Sequence, residues 1–168
     1  MPEKATLERA RADKRAGKAP STQAGEFVRE EIHHVREGKH GARSTKQAIA
    51  IGLSKARRAG VKLPAPGRGA KPTTKRSAAA ASRAGRKGST RRASPRRSRA
   101  VTNALKREGR SAASRKALSR QATTAARRRS ASSRRAAARK AVRTKGPRVR
   151  HAAAQKAART RQRRRHTS

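Results

Sequence analysis

The sequence predicts a mostly α-helical fold: short helices around a marginal helical hairpin, followed by a largely disordered basic Ala/Arg-rich tail. Three observations predict it. Apolar residues recur at helical spacing, between glycines that stop helices at 17, 38 and 60. Only 16 of 168 residues are Val, Ile, Leu, Met or Phe, and 11 of them precede residue 65. Lysine and arginine number 50 against 8 acids, a net charge of +42. Few large apolar groups and high net charge do not offset the ordering entropy of 168 residues, so one globular domain of that length is excluded.

The elements follow in order. Residues 4–16 are rich in Ala, Arg and Glu, end at Gly17 and carry Leu7 as their single large apolar residue, which reads as a mostly solvated helix. A second helix over 22–37 starts within Ser21–Glu26 and stops at Gly38. Its stripe is Ala24, Val28, Ile32 and Val35, with Phe27 beside it. Glu31 falls inside that stripe and spoils it unless a Lys or Arg of a neighbouring helix pairs with it. A third helix, 45–59, opens with Ser44-Thr-Lys-Gln47, a capping-box spacing, and closes at Gly60 after Arg57-Arg58. Its face of Ala48, Ile49, Gly52, Leu53, Ala56 and Ala59 has the small residues that let another helix approach closely. The two helices joined by Gly38–Arg43 make an α-hairpin at 22–60.

Charge divides the chain. Residues 1–64 hold 15 Lys/Arg and 7 acids, residues 65–168 hold 35 and 1, and the break falls at the Pro/Gly cluster Pro64-Ala-Pro-Gly-Arg-Gly. The expected organisation is a helical head at 1–63, a disordered basic linker at 64–98, a degenerate helical pair at 99–129 (helices 99–108 and 113–129), and a disordered or conditionally helical basic tail at 130–168. Around Arg107-Glu-Gly-Arg-Ser and Ser114-Arg-Lys-Ala-Leu118 the pair echoes Arg36-Glu-Gly and the segment that follows it. The head core is small enough that self-association through its helices, or a bound ligand, is expected to complete its stability.

Without cysteine there is no disulfide framework, thiolate nucleophile or Cys-based zinc site. The N-terminus lacks the apolar run of a signal peptide, and no stretch has the ~20 apolar residues of a membrane span. A cytoplasmic protein is the expectation. No Gly-x-Ser-x-Gly elbow and no Walker-type phosphate loop occurs, so no catalytic residue, cofactor or small-molecule substrate is expected.

The run from Glu26-Phe-Val-Arg-Glu-Glu-Ile through Gly38-Lys-His-Gly-Ala-Arg-Ser-Thr-Lys-Gln-Ala-Ile-Ala-Ile-Gly-Leu-Ser-Lys-Ala56 to Leu63 resembles a small bacterial domain family of unknown function. The resemblance implies a bacterial source, a basic Ala-rich tail and no established activity. By composition alone, the tail is similar to bacterial linker-histone-like proteins.

The strongest functional signal is that tail. At one charge per ~1.7 Å of duplex, its 34 excess charges match roughly 58 Å of DNA, about 17 base pairs. Arginine outnumbers lysine there 27 to 8, and the guanidinium forks phosphate bidentately. Ser94-Pro95-Arg96-Arg97 resembles the Ser-Pro-basic-basic element of linker-histone tails, where a Ser-Pro turn presents two cations to the minor groove. Expected phosphate contacts are Arg43, Lys46, Lys55, Arg57, Arg58 and Lys62 in the head, with a phosphate at the N-terminus of the 45–59 helix. In the tail they are Arg91, Arg92, Arg96, Arg97, Arg127, Arg128, Arg129, Arg134, Arg135, Arg163, Arg164 and Arg165. His33, His34 and His40 with Glu30, Glu31 and Glu37 have the residue types of a metal site. The i,i+4 pairs His33/Glu37 and Glu30/His34 are instead expected to stabilise an exposed helix, with no metal bound.

These readings converge on a nucleoid-associated, histone-like protein that binds duplex DNA without sequence choice. The alternative is an RNA- or ribosome-associated basic protein. With Phe27 as the one aromatic, base stacking is nearly closed to it, whereas phosphate-based RNA binding is open.

Overall fold

The computed structural model describes residues 2–88 and 94–166, and every regular element among them is helical. The chain divides into two compact units, Met1–Gln121 and Ala122–Ser168.

In the first unit, α1 (Lys4–Arg15) buries Thr6 and Ala10 and ends before Gly17 in the left-handed region (φ 67°). The next helix, α2 (Pro20–Glu37), starts two residues earlier than its spacing predicts. Pro20, whose ring presets the helical φ, occupies the first turn in place of a side-chain cap. It stops as expected at Gly38 (φ 78°), where Lys39 N–H closes back on His34 O at 3.0 Å. Helix α3 (Thr45–Arg58) has the predicted cap on one side: Ser44 Oγ accepts from Gln47 N–H at 3.2 Å. The reciprocal half is displaced by one residue, with Gln47 Oε1 accepting from Arg43 N–H at 2.9 Å.

The α2–α3 hairpin is close-packed, as the small residues of α3 suggest. A Cβ at Gly52 would lie 2.7 Å from Val28 Cα, so only glycine fits. Ala48, Gly52 and Ala56 are buried, Ile49 and Leu53 half-buried, and Ala59 is exposed at the helix end. Two apolar clusters result. Phe27 leads one, with Ala10, Ala24 and Ala56 and the half-buried Leu7, Leu53, Val61 and Leu63. Ile32 and Val35 lead the other, with Ala42, Ala48, Ala112 and Ala113 and the half-buried Val28 and Leu118.

The second cluster reaches beyond the predicted head. The α2–α3 loop pairs with the end of α5 (Pro95–Lys106) and the connection from it to α6 (Arg115–Arg127), through Gly41 N–H to Leu105 O (2.8 Å) and Ala42 N–H to Gly109 O (3.1 Å). A 3₁₀ turn at Ser111–Ala113 then packs on the hairpin, with Thr45 Oγ1 donating to Ala112 O and Arg36 Nε to Ala113 O. Ser114 caps α6 as Ser44 caps α3, its Oγ accepting from Ala117 N–H at 3.2 Å.

The disorder expected at 64–98 is corrected. Residues 72–86 form α4 (Pro72–Arg86) within the stretch read as a linker. Pro72 in the first turn and four consecutive alanines favour a helix there. Gly85, at which a Cβ would strike the Arg57 carbonyl, lets α4 lie directly on α3. In the second unit, α7 (Ala131–His166) is helical where the tail was expected to be disordered or conditionally helical, and it bends at Gly146 (φ 63°) just before Pro147. Ala and Arg have high intrinsic helix propensity, which here prevails over like-charge repulsion. Ser94-Pro95-Arg96-Arg97 is likewise the first turn of α5, not a free Ser-Pro turn. No helix among the described residues is long and apolar enough to cross a membrane.

Alanine at the two mid-helix glycines is expected to act with opposite sign. Gly25→Ala meets nothing within 4 Å and should raise stability by about 0.5–1 kcal/mol, whereas Gly52→Ala should lower it by about 1–3 kcal/mol through overpacking. Urea melts followed by circular dichroism check both.

Candidate functional site

Two features of the first unit bear on function: a buried charge network and the cations left outside it. Glu30 and Glu31 are adjacent on α2, and each side chain is only 1% exposed. Lys55 of α3 reaches both, with Nζ 3.2 Å from Glu30 Oε1 and 2.8 Å from Glu31 Oε2. This is the partner that Glu31 required. The network continues outward: Glu30 Oε2 accepts the Glu3 backbone N–H at 3.0 Å, and Glu3 Oε1 accepts from His34 Nε2 (2.8 Å) and Lys39 Nζ (3.2 Å). On the other side of Glu31, His40 Nε2 lies 3.3 Å from Oε1. Neither Glu31 oxygen has a hydrogen bond of acceptable geometry, so its contacts to Lys55 and His40 are ion-pair distances only.

The protonation states follow from these contacts. Burial works against the Glu30 carboxylate, but the Glu3 N–H, Thr6 and Lys55 together hold its pKa below 4.5. Burial also opposes the charge of Lys55, and Glu31 and Glu30 hold its pKa above 10.5. Glu3, hydrogen-bonded by His34 and Lys39, is held below 4.5 as well.

The expected phosphate-binding residues are distributed accordingly. Arg43, Lys46, Arg58 and Lys62 are exposed around the hairpin. Arg57 is half-buried and donates to Pro64 O at 3.1 Å. Lys55 is corrected: its ammonium lies in the buried network, because Glu31 cannot be desolvated without it. At the N-terminus of α3 the Gln47 N–H is taken by Ser44 Oγ, and the Thr45 side chain is buried and donates to Ala112 O. Arg96, Arg97, Arg127, Arg128, Arg129, Arg134, Arg135 and Arg163 are exposed. Arg91 and Arg92, and the side chains of Arg164 and Arg165, lie outside the described residues.

The Glu30/His34 pair differs from expectation. His33 is exposed, but Glu30 and Glu31 are buried, and His34 bonds Glu3 across 31 residues, not its i,i+4 neighbour. Sequence reasoning missed the convergence of Glu31, His34 and His40. The i,i+3 spacing of the first two was visible, whereas the return of His40 depends on the left-handed turn at Gly38.

Residues 11–67 match a family of unknown function (DUF6496). No curated protein and no solved structure matches the chain.

Removing the ammonium with Lys55→Met strands a buried carboxylate and should cost about 3–5 kcal/mol in a urea melt, whereas Lys46→Gln should stay within about 0.5 kcal/mol. The pH dependence has a definite sign. Glu30, depressed below 4.5, contributes stability that is present above 4.5 and lost as pH falls through its folded pKa. Lys55, raised above 10.5, contributes stability that is present below 10.5 and lost as pH rises through its folded pKa. Urea midpoints measured against pH should therefore hold a plateau between these limits and fall at both ends.

Proposed function

We propose that the protein is a non-sequence-specific, nucleoid-associated DNA-binding protein of histone-like type that acts by neutralising phosphates. The observation that carries the reading is α7. Over 36 residues it holds 14 Lys/Arg and no acid. At ~1.5 Å per residue its two segments, before and after the kink at Gly146, provide about 22 Å and about 30 Å of helical rise, together comparable to some 15 base pairs of duplex. A helix polar on every side has no apolar face to bury and gains most from a polyanion that relieves its repulsion.

The first unit supports the reading by engaging six of its seven acids before residue 65 with its own cations. Asp13 pairs with Lys18, Glu26 with Arg9, Glu30 and Glu31 with Lys55, and Glu3 and Glu37 with Lys39. Those carboxylates do not repel a phosphate backbone, and Arg43, Lys46, Arg58 and Lys62 add exposed cations. Phe27, the one aromatic residue, is fully buried. Base stacking on Phe, Tyr or Trp, the usual means of reading single-stranded RNA, is therefore closed to this chain.

A competition titration of the full chain, duplex DNA against structured RNA over a salt series, tests this. Duplex is expected to equal or outcompete RNA, with log K falling steeply against log salt. Replacing Arg134, Arg135, Arg139 and Arg143 with Gln should flatten that slope by about 0.9 for each phosphate no longer neutralised. Preference for RNA at physiological salt would replace the reading with an RNA- or ribosome-associated one.

A further inference from the structure

Glu31, His34 and His40 each offer a ligand atom within 4.8 Å of the other two, and phosphate neutralisation makes no use of them. The hydrogen bonds of the two imidazoles define what they can do. Gly41 O is an acceptor, so its 3.0 Å contact places a proton on His40 Nδ1. In the neutral ring Nε2 is then a bare lone pair, and it lies 3.3 Å from Glu31 Oε1, also an acceptor. Glu31 is fully buried; the Lys55 ammonium lies 2.8 Å from its Oε2, whereas Oε1, which faces His40, has no hydrogen-bond partner. Two acceptors facing each other there repel unless a proton on Nε2 or a metal ion lies between them.

His34 is tied in the same manner. The Glu3 carboxylate accepts from Nε2 at 2.8 Å, which leaves Nδ1 as the lone-pair nitrogen. Histidines that bind metals are held this way, with a carbonyl or carboxylate on the nitrogen that does not meet the ion. The two rings stand edge to face, their centroids 6.0 Å apart.

From this geometry we infer that Glu31, His34 and His40 form a binding site for one divalent transition-metal ion of the zinc class, with water in the fourth position. One carboxylate and two imidazoles suit Zn²⁺ better than Mg²⁺ or Ca²⁺, which prefer all-oxygen shells. Tetrahedral bonds of ~2.0–2.1 Å set donor–donor edges of about 3.3–3.4 Å. The His40–Glu31 separation of 3.3 Å already matches that edge. The other ligand atoms lie within 4.8 Å of one another, so binding has to draw them in by up to about 1.4 Å, and the His34 and His40 side chains are 12% and 16% exposed, which gives the fourth position access to water. Charge agrees: Glu3, Glu30, Glu31 and Glu37 face Lys39 and Lys55, leaving two negative charges when both imidazoles are neutral. The ion fastens the loop after Gly38 to α2.

The test uses the full chain, titrated with Zn²⁺ against a chromophoric chelator and with Co²⁺ for its visible spectrum. One ion per chain is expected, with the intense bands of four-coordinate Co²⁺ and a raised thermal midpoint. His34→Gln and His40→Gln should each weaken Zn²⁺ binding by about 100-fold or more, and His33→Gln should leave it unchanged. Absence of a four-coordinate Co²⁺ spectrum in the unmodified chain overturns the site and requires no variant to fold. Zn²⁺ affinity that survives both His34→Gln and His40→Gln overturns it equally, since the ion would then be held by histidines elsewhere.

Discussion

The contact between Lys55 and the paired carboxylates of Glu30 and Glu31 is the constraint on which the first unit depends. Placing two acids on the inner face of α2 is unfavourable in an apolar hairpin core, because an unpaired buried carboxylate costs several kcal/mol. One ammonium from α3, inserted between them, makes the arrangement tolerable and in doing so fixes the register of α3 against α2. The close approach at Gly52 brings the two backbones near enough for Lys55 to reach. The remaining lone pairs recruit further parts of the chain: the N–H of Glu3 ties the start of α1 to Glu30, and His40 brings the loop after α2 over Glu31. A polar network thereby positions three helices that have few large apolar residues to position them.

The charges of the protein are divided along the chain, and the network lies on the acidic side of that division. Nearly all its acids lie in the first 64 residues, most of them engaged by nearby cations, while α7 carries only basic and neutral residues. Arginine and alanine supply helical propensity, but nothing within the sequence of α7 supplies an opposite charge. This asymmetry underlies the proposed DNA binding, and it is local composition, not the tertiary arrangement, that creates it.

Much of the hairpin was legible from spacing. Gly38 and Gly60 ended their helices, Ser44 capped α3, and the small face of α3 announced the close contact at Gly52. The extent of the head was not legible. Ala112 and Ala113 are too small to register as core in a periodicity argument, yet both are buried because the α5–α6 connection pairs its backbone with the α2–α3 loop. Likewise α4 has no large apolar residue, and what seats it on α3 is the missing side chain of Gly85, a signal indistinguishable from that of a flexible linker.

The sequence by itself determined the helical class, the hairpin, the charge asymmetry and the need of Glu31 for a cationic partner, because each follows from local spacing or composition. Only the tertiary structure decided that Lys55 is that partner and is withdrawn from the surface. It alone also brought His40 back to Glu31 and His34, through the left-handed turn at Gly38. Those outcomes depend on which groups meet across 24 residues or across a turn, and desolvation acts on groups that meet in space, wherever they stand in the chain.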